Sequence, residues 1–114
     1  MYDNQNIFAK ILRGQSACKK VYEDKDVLAF YDIFPSAPVH VLVIPKGMHK
    51  SFDDFVKSDA DIAGFFKTVA QIAKKLGLTE SGYRVVTNHG SDSGQIVPHF
   101  HVHILGGKKL GKIA

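Results

Sequence analysis

Three histidines alternate with apolar residues near the end of the chain, at His99, His101 and His103. Successive side chains of a β-strand point to opposite faces, so this spacing predicts three imidazoles on one face. Apolar residues such as Phe100 and Ile104 would cover the other face. Half of the six histidines in the chain stand in this segment, and imidazole is the side chain that titrates near pH 7. The pattern therefore predicts a strand that carries acid–base or nucleophilic chemistry.

A metal site is the main alternative interpretation of these histidines, because two histidines two apart on a strand can hold zinc with a third ligand. Neighbours on one face of a strand lie about 6.5 to 7 Å apart, so three in a row converge poorly on one ion with bonds of about 2.0 to 2.1 Å. Cys18 is the single cysteine, and no Cys-x-x-Cys or His-Glu-x-x-His pattern occurs. The sequence therefore favours chemistry without a metal or another cofactor.

Length and composition limit the broad class of the protein. A chain of 114 residues with 45% hydrophobic content predicts one domain, residues 1–114, with a modest core that self-association would help to stabilise. No leader-like segment or long apolar run stands out, so we expect a cytoplasmic protein without membrane contact. The net charge of +4 suits an anionic ligand. Basic residues are not interleaved with aromatic ones, which argues against nucleic-acid binding.

Hydrophobic periodicity predicts an α+β fold with one long helix, one or two short helices and about five strands. The long helix is predicted to start at Ser58, with Asp61 three residues later, and to stop at Gly77. Short hairpin connections between the strands favour an antiparallel sheet. The short helices are predicted at residues 6–13 and 51–55, and the strands at residues 20–23, 27–31, 39–44, 83–87 and 99–105.

A loop rich in glycine and serine precedes the histidine segment. Gly90, Ser91, Ser93 and Gly94 offer backbone amides and small hydroxyls, which is the composition of a nest that cradles phosphate. Most loops of this composition are only turns. The position next to three imidazoles is what makes a phosphate-binding role the better prediction here.

These residues resemble a known family. The segment 99–105 matches the His-φ-His-φ-His-φ-φ signature, with φ apolar, of the histidine triad superfamily. The resemblance to its nucleotide-binding branch extends over nearly the whole chain, through the segments Ile7-Phe8-Ala9-Lys10-Ile11, Ala29-Phe30-Tyr31-Asp32-Ile33, Pro35-Ser36-Ala37-Pro38-Val39-His40, Val43-Ile44-Pro45-Lys46, Gly82-Tyr83-Arg84, Asn88, Gly94-Gln95 and Gly106-Gly107. It implies a histidine triad fold, a homodimer, and hydrolysis of the P–N bond of adenosine or guanosine 5′-phosphoramidates.

The resemblance also implies catalytic roles. It makes His101 the nucleophile on the α-phosphorus, and the spacing agrees, since only this histidine has an imidazole neighbour on both sides along the strand. It implies that His103 bonds a nonbridging phosphate oxygen. His99 and His40 would help to deliver a proton to the leaving amine. The expected intermediate is a nucleotide bound covalently to His101.

Further residues are implied to hold the purine nucleotide. Asp32 would bind the ribose hydroxyls, and Ile33 would pack on the purine. The residues expected to line the phosphate side are Asn88, Gly94, Gln95, Ile96 and Val97. At position 96 related animal proteins frequently have a small hydroxyl residue, and the tail, residues 108–114, lacks their Trp-Pro-Pro-Gly ending. These two differences bear on the phosphate donors and on the choice of leaving group, and both adenine and guanine nucleotides stay as candidate substrates.

Two other functions remain compatible with the sequence. One is a dinucleoside polyphosphate hydrolase or nucleotidyltransferase of the same superfamily. The other is a binding module that senses AMP or a related nucleotide and regulates a partner. Parallel assays of hydrolysis and of nucleotide binding distinguish the three.

Overall fold

Five antiparallel strands form a single sheet in the computed structural model, which describes residues 1–114. In chain order the elements are α1 (Ile7–Leu12), β1 (Lys20–Glu23), β2 (Val27–Tyr31), β3 (Val39–Pro45), α2 (Phe52–Lys57), α3 (Ile62–Lys75), β4 (Arg84–Val86), a 3₁₀ turn (Ser91–Ser93) and β5 (Val102–Gly106). The strand order is β1-β2-β3-β5-β4, and every neighbouring pair is antiparallel. The predicted α+β class with a five-stranded antiparallel sheet is confirmed.

Each face of the sheet packs against its own apolar cluster, because alternate residues of a strand point to opposite sides. On one face, Val102 and Ile104 of β5 pack with Phe65 and Ile72 of α3. The buried residues of the other cluster are Phe8 of α1 and the strand residues Leu28, Phe30, Leu42 and Ile44. The short helix α1 therefore covers the face of the sheet opposite to α3.

Helix α3 begins later than the sequence predicts. Its N-cap is Asp61, whose carboxylate accepts a hydrogen bond from the Gly64 amide at 2.9 Å. Ser58 closes α2 instead, because its hydroxyl donates to the Phe55 carbonyl at 2.6 Å. The predicted start at Ser58 is therefore wrong. Ser51 stands at the N-cap position of α2, as predicted, but its side chain makes no capping bond.

Strand β5 covers only the second part of the predicted histidine strand. Before it, the Phe100 amide donates to the His49 carbonyl at 2.7 Å, and the His99 carbonyl accepts from the His101 ring at 2.7 Å. These backbone groups are therefore not available for a regular ladder. Strand β4 is also shorter than predicted, and beyond its end the Thr87 hydroxyl donates to the His101 carbonyl at 2.7 Å.

The sheet ends on β1 and on β4. At the β4 edge the side chain of Val85 is exposed, as is that of Tyr83 just before the strand. An apolar edge of this kind can pair with another chain. None of the helices has the length and apolarity needed to span a membrane.

Candidate active site

A cavity of about 610 Å³ opens on the α1 side of the sheet. This volume lies within the range of about 300 to 1,000 Å³ that is typical of small-molecule sites. Ten of the eleven residues predicted from the sequence line the cavity: Asp32, Ile33, His40, Asn88, Gly94, Gln95, Ile96, Val97, His101 and His103. The exception is His99.

One wall of the cavity is apolar and was not assigned to the site by the sequence. Its main residues are Ile7, Phe8, Ile11, Cys18, Phe30 and Leu42. The apolar spacing of α1 indicates a buried helix face, but a packed core and a cavity wall use the same residue types. The sequence therefore located the polar part of the site and missed its apolar wall.

His101 presents a free ring nitrogen to this cavity. Its Nδ1 lies 2.7 Å from the His99 carbonyl oxygen, which can only accept, so Nδ1 carries the hydrogen and Nε2 keeps its lone pair. Burial lowers the pKa of His101 from its ordinary value of 6.5, which keeps the ring neutral at pH 7. The ring of Phe8 packs against it edge to face, with centroids 4.9 Å apart. A neutral imidazole held in this way is a nucleophile with an exposed lone pair.

His103 and His40 form a hydrogen-bonded pair beside His101. The Ser36 amide donates to His40 Nδ1 at 3.0 Å, so the hydrogen of the neutral His40 ring is on Nε2. That nitrogen donates to His103 Nδ1 at 2.9 Å. His103 therefore carries its hydrogen on Nε2, a buried atom without a hydrogen-bond partner. Burial lowers the pKa of both rings, that of His103 to about 4. The pair thus offers one unpaired donor, which suits an anionic ligand.

Asp32 lies against the same pair. Its Oδ2 is 3.4 Å from His40 Nε2, and its Oδ1 accepts from the Phe34 amide at 2.8 Å. Each carboxylate oxygen has two lone pairs, so the group retains capacity for ligand hydroxyls. The nearest polar atoms of Asp32, His40 and His103 lie within 4.8 Å of one another, an arrangement that could accommodate a divalent cation. The 2.9 Å between the two histidine nitrogens is, however, an ordinary hydrogen-bond length.

His99 lies behind the site rather than in it. Its ring is completely buried. Its Nε2 donates to the Pro45 carbonyl at 2.9 Å, and the Tyr2 hydroxyl donates to its Nδ1 at 2.6 Å. Burial lowers the pKa of His99 to about 4. With both nitrogens bonded away from the cavity, His99 has no free atom with which to deliver a proton, and its geometry is that of a residue that positions His101.

Two backbone amides of the Gly/Ser loop, which the predicted nest would need as free donors, bond to acceptors within the loop. The Gly94 amide donates to Ser91, and the Gly90 amide donates to Gln95 Oε1 at 2.9 Å. Of the four predicted nest residues, only Gly94 lines the cavity. The nest prediction is therefore wrong for the amides of Gly90 and Gly94, which are already bonded within the loop. Ile96 and Val97, which are also predicted on the phosphate side, line the cavity, and their amides have no protein acceptor.

The histidine arrangement agrees with what sequence comparison finds. A family model described as the HIT domain matches residues 13–110. The chain belongs to the histidine triad (HIT) family. It is 50% identical over 112 residues to an uncharacterised 13.2 kDa HIT-like protein of Azospirillum brasilense, covering 96% of this chain and 92% of that protein. The resemblance noted in the sequence is thereby confirmed at the level of the superfamily.

Solved structures support the same family assignment for this HIT protein. A histidine triad protein from Clostridium difficile is 43% identical, with a TM-score of 0.90 and complete coverage of both chains. A HIT family hydrolase from Legionella pneumophila is 40% identical, with a TM-score of 0.85, covering 93% of this chain and 96% of that one. The fold is therefore that of the HIT family.

The lowered pKa values of the buried histidines predict how the free energy of unfolding depends on pH. In the folded state the pKa values of His99 and His103 are about 4, against an ordinary value of 6.5. The unfolded chain therefore binds protons below about pH 6.5 that the folded chain excludes until about pH 4, so the free energy of unfolding falls as the pH falls through this window. We expect a lower urea midpoint at pH 5 than at pH 7. The exposed-residue variant His89→Gln should keep this difference, and a midpoint that is equal or higher at pH 5 would contradict the burial account.

Proposed function

We propose that this HIT protein is a purine nucleoside phosphoramidase. It would hydrolyse the P–N bond of adenosine or guanosine 5′-phosphoramidates through a nucleotide bound covalently to His101. The observation that carries the proposal is the neutral His101 ring, with Nδ1 held by the His99 carbonyl and Nε2 free at the cavity. The hydrolases among its relatives are consistent with this class of reaction.

In the first step, the lone pair of His101 Nε2 attacks the α-phosphorus and forms an N–P bond. The bond from phosphorus to the leaving amine breaks, and the amine nitrogen takes up a proton. Positive charge develops on the His101 ring, and the His99 carbonyl that accepts from Nδ1 at 2.7 Å stabilises it. In the second step, water attacks phosphorus and gives up one proton, which restores the proton that the first step transferred to the amine; the bond to Nε2 breaks, and the nucleoside monophosphate is released.

His103 is suited to hold the phosphate during both steps. Its Nε2–H is a buried donor without a partner, and a phosphate oxygen would satisfy it. The negative phosphate also favours uptake of a proton by His103. A small rotation of the His40 ring can then move its Nε2–H from His103 to Asp32 Oδ2, which lies 3.4 Å from Nε2. In this scheme the protonated His103 supplies the proton that the leaving amine takes up, and His40 accommodates the protonation of His103 by bonding to Asp32.

The remaining wall of the cavity suits a purine nucleoside. Phe8 and Leu42 provide an apolar surface, and Ile33 stands at the rim with 81% of its surface exposed, available to pack on a base. Asp32 retains acceptor capacity for ribose hydroxyls. Stacking and apolar contact recognise a flat ring without selecting one exocyclic group, so they support a purine nucleotide in general.

The first test removes the nucleophile. We expect His101→Ala to lower kcat by at least about 10³-fold, while purine monophosphate binding persists because the base and ribose contacts lie elsewhere. Single-turnover and steady-state assays with an adenosine 5′-phosphoramidate measure the loss, and calorimetry measures the binding. His89→Ala, at an exposed position outside the cavity, is the matched control. Near-normal turnover by His101→Ala would exclude covalent catalysis by this residue.

The same assay distinguishes the alternative functions if diadenosine polyphosphates are tested in parallel. Faster cleavage of the P–O–P link than of the P–N bond would favour the polyphosphate hydrolase or nucleotidyltransferase. Tight binding of AMP without turnover of either substrate would favour a nucleotide-sensing module.

A second test concerns metal dependence. Because His40 and His103 already satisfy each other's facing nitrogens at 2.9 Å, we propose that the reaction needs no metal. Activity should persist after exhaustive chelation, and elemental analysis of the active protein should find no stoichiometric zinc. Loss of activity on chelation, with recovery on adding zinc, would instead assign a metal to the group formed by Asp32, His40 and His103.

A third test concerns assembly. We propose a homodimer in which the β4 edges of two chains pair, since β4 ends the sheet and exposes Val85 beside Tyr83. Light scattering at micromolar concentration should report twice the mass of the 12.6 kDa chain. Val85→Lys should yield monomer, and the exposed substitution Val56→Lys on α2 should not. A fully active wild-type monomer would contradict the proposal.

A further inference from the structure

The N-terminal segment reaches the histidines from outside the cavity. We infer that Tyr2 is a positioning residue for the nucleophile: its hydroxyl holds the His99 ring, and the His99 backbone holds His101. The inference rests on the proposed function, because it gives Tyr2 a part in the same reaction. Neither the histidine spacing nor the apolar pattern of the sequence indicates such a role.

Two hydrogen bonds and the covalent frame of His99 link Tyr2 to the nucleophile, and a third hydrogen bond fixes the other side of the His99 ring. The Tyr2 hydroxyl lies 2.6 Å from His99 Nδ1, His99 Nε2 lies 2.9 Å from the Pro45 carbonyl, and His101 Nδ1 lies 2.7 Å from the His99 carbonyl. The direction of each bond follows from chemistry. Since a carbonyl can only accept, His99 must carry its hydrogen on Nε2, and Tyr2 must be the donor to Nδ1.

The position of Tyr2 is supported by its surroundings. Its ring meets the His99 ring edge to face, with centroids 5.7 Å apart. The following residues fold into a cap, in which the Asn6 side chain donates to the Asp3 carbonyl at 2.7 Å and accepts from the Ala9 amide at 2.9 Å. The segment that carries Tyr2 is therefore tied to the start of α1, the helix whose Phe8 touches both His99 and His101.

Removal of the Tyr2 hydroxyl would leave a buried acceptor without a partner. His99 is completely buried, so its Nδ1 has no water to replace the lost donor, and the ring can reach another donor only by giving up the Pro45 carbonyl. Either outcome loosens residue 99, whose carbonyl sets the tautomer and direction of His101. Neither Tyr2 nor His99 lines the cavity. The loss should therefore fall on kcat and not on KM.

The test compares two tyrosine variants of the full chain. Tyr2→Phe removes the hydroxyl that bonds His99, and Tyr22→Phe removes one that bonds Asp24 at 2.7 Å in the β1–β2 hairpin. Both tyrosines are partly buried, and each substitution removes one side-chain hydrogen bond. We expect Tyr2→Phe to lower kcat with an adenosine 5′-phosphoramidate about tenfold at unchanged KM, on the scale of one lost hydrogen bond to a buried group. Tyr22→Phe should retain the wild-type kcat.

A second readout separates this inference from the proposed function. Nitrogen-15 NMR of histidine-labelled protein reports which ring nitrogen carries the hydrogen, whether or not the protein turns over a substrate. Tyr2→Phe should change the Nδ1 resonances of both His99 and His101, and Tyr22→Phe should change neither. Unchanged His101 resonances and unchanged kcat in Tyr2→Phe, or an equal kcat loss in both variants, would overturn the inference. A wild-type protein without phosphoramidase activity would contradict the proposed function alone.

Discussion

The hydrogen bond from the His101 ring to the His99 carbonyl lets the backbone decide which nitrogen of His101 is free to react. Imidazole has two tautomers that differ in which nitrogen keeps a lone pair, and in water they interconvert freely. A carbonyl oxygen 2.7 Å from Nδ1 selects the tautomer with a free Nε2, because the carbonyl can only accept. The rest of the site depends on this selection, since a lone pair that points away from the cavity could not attack a ligand there.

Main-chain groups also set the tautomers of two other histidines, one in the site and one behind it. A backbone amide at Ser36 gives His40 its tautomer, and a backbone carbonyl at Pro45 gives His99 its own. Burial keeps these rings neutral by lowering their pKa values. Main-chain groups do not titrate, so the partners that select these tautomers do not themselves change with pH. The sheet holds those groups in place because the site lies on its α1 face, over strands that are packed on both sides.

The histidine spacing located the central strand of this site, and the family resemblance supplied most of the other predicted residues that line the cavity. The alternation of His99, His101 and His103 correctly indicates that their rings lie opposite to Phe100 and its apolar neighbours. The same pattern over-extends the strand, because the backbone of residues 99–101 bonds to a loop and to a side chain instead of to a ladder. Spacing reports the side to which a residue points. It does not report where the main-chain hydrogen bonds go.

Local sequence patterns could not predict the contacts that join distant parts of the chain. Tyr2 and His99 are 97 residues apart, and nothing near either residue indicates the other. The hydrogen-bond partners of His99 were missed for the same reason, since Tyr2 and Pro45 come from other segments. The glycine-rich loop was located correctly, but its amides bond within the loop. Composition indicates which groups are present and leaves open which of them are already paired.

The central claim of this account is that the fold holds His101 as a neutral ring with its hydrogen on Nδ1. The nitrogen-15 chemical shifts of the His101 ring in the wild-type protein at pH 7 measure this directly. The account predicts a protonated, pyrrole-type Nδ1 and a pyridine-type Nε2. A hydrogen on Nε2, or a doubly protonated ring, would contradict it.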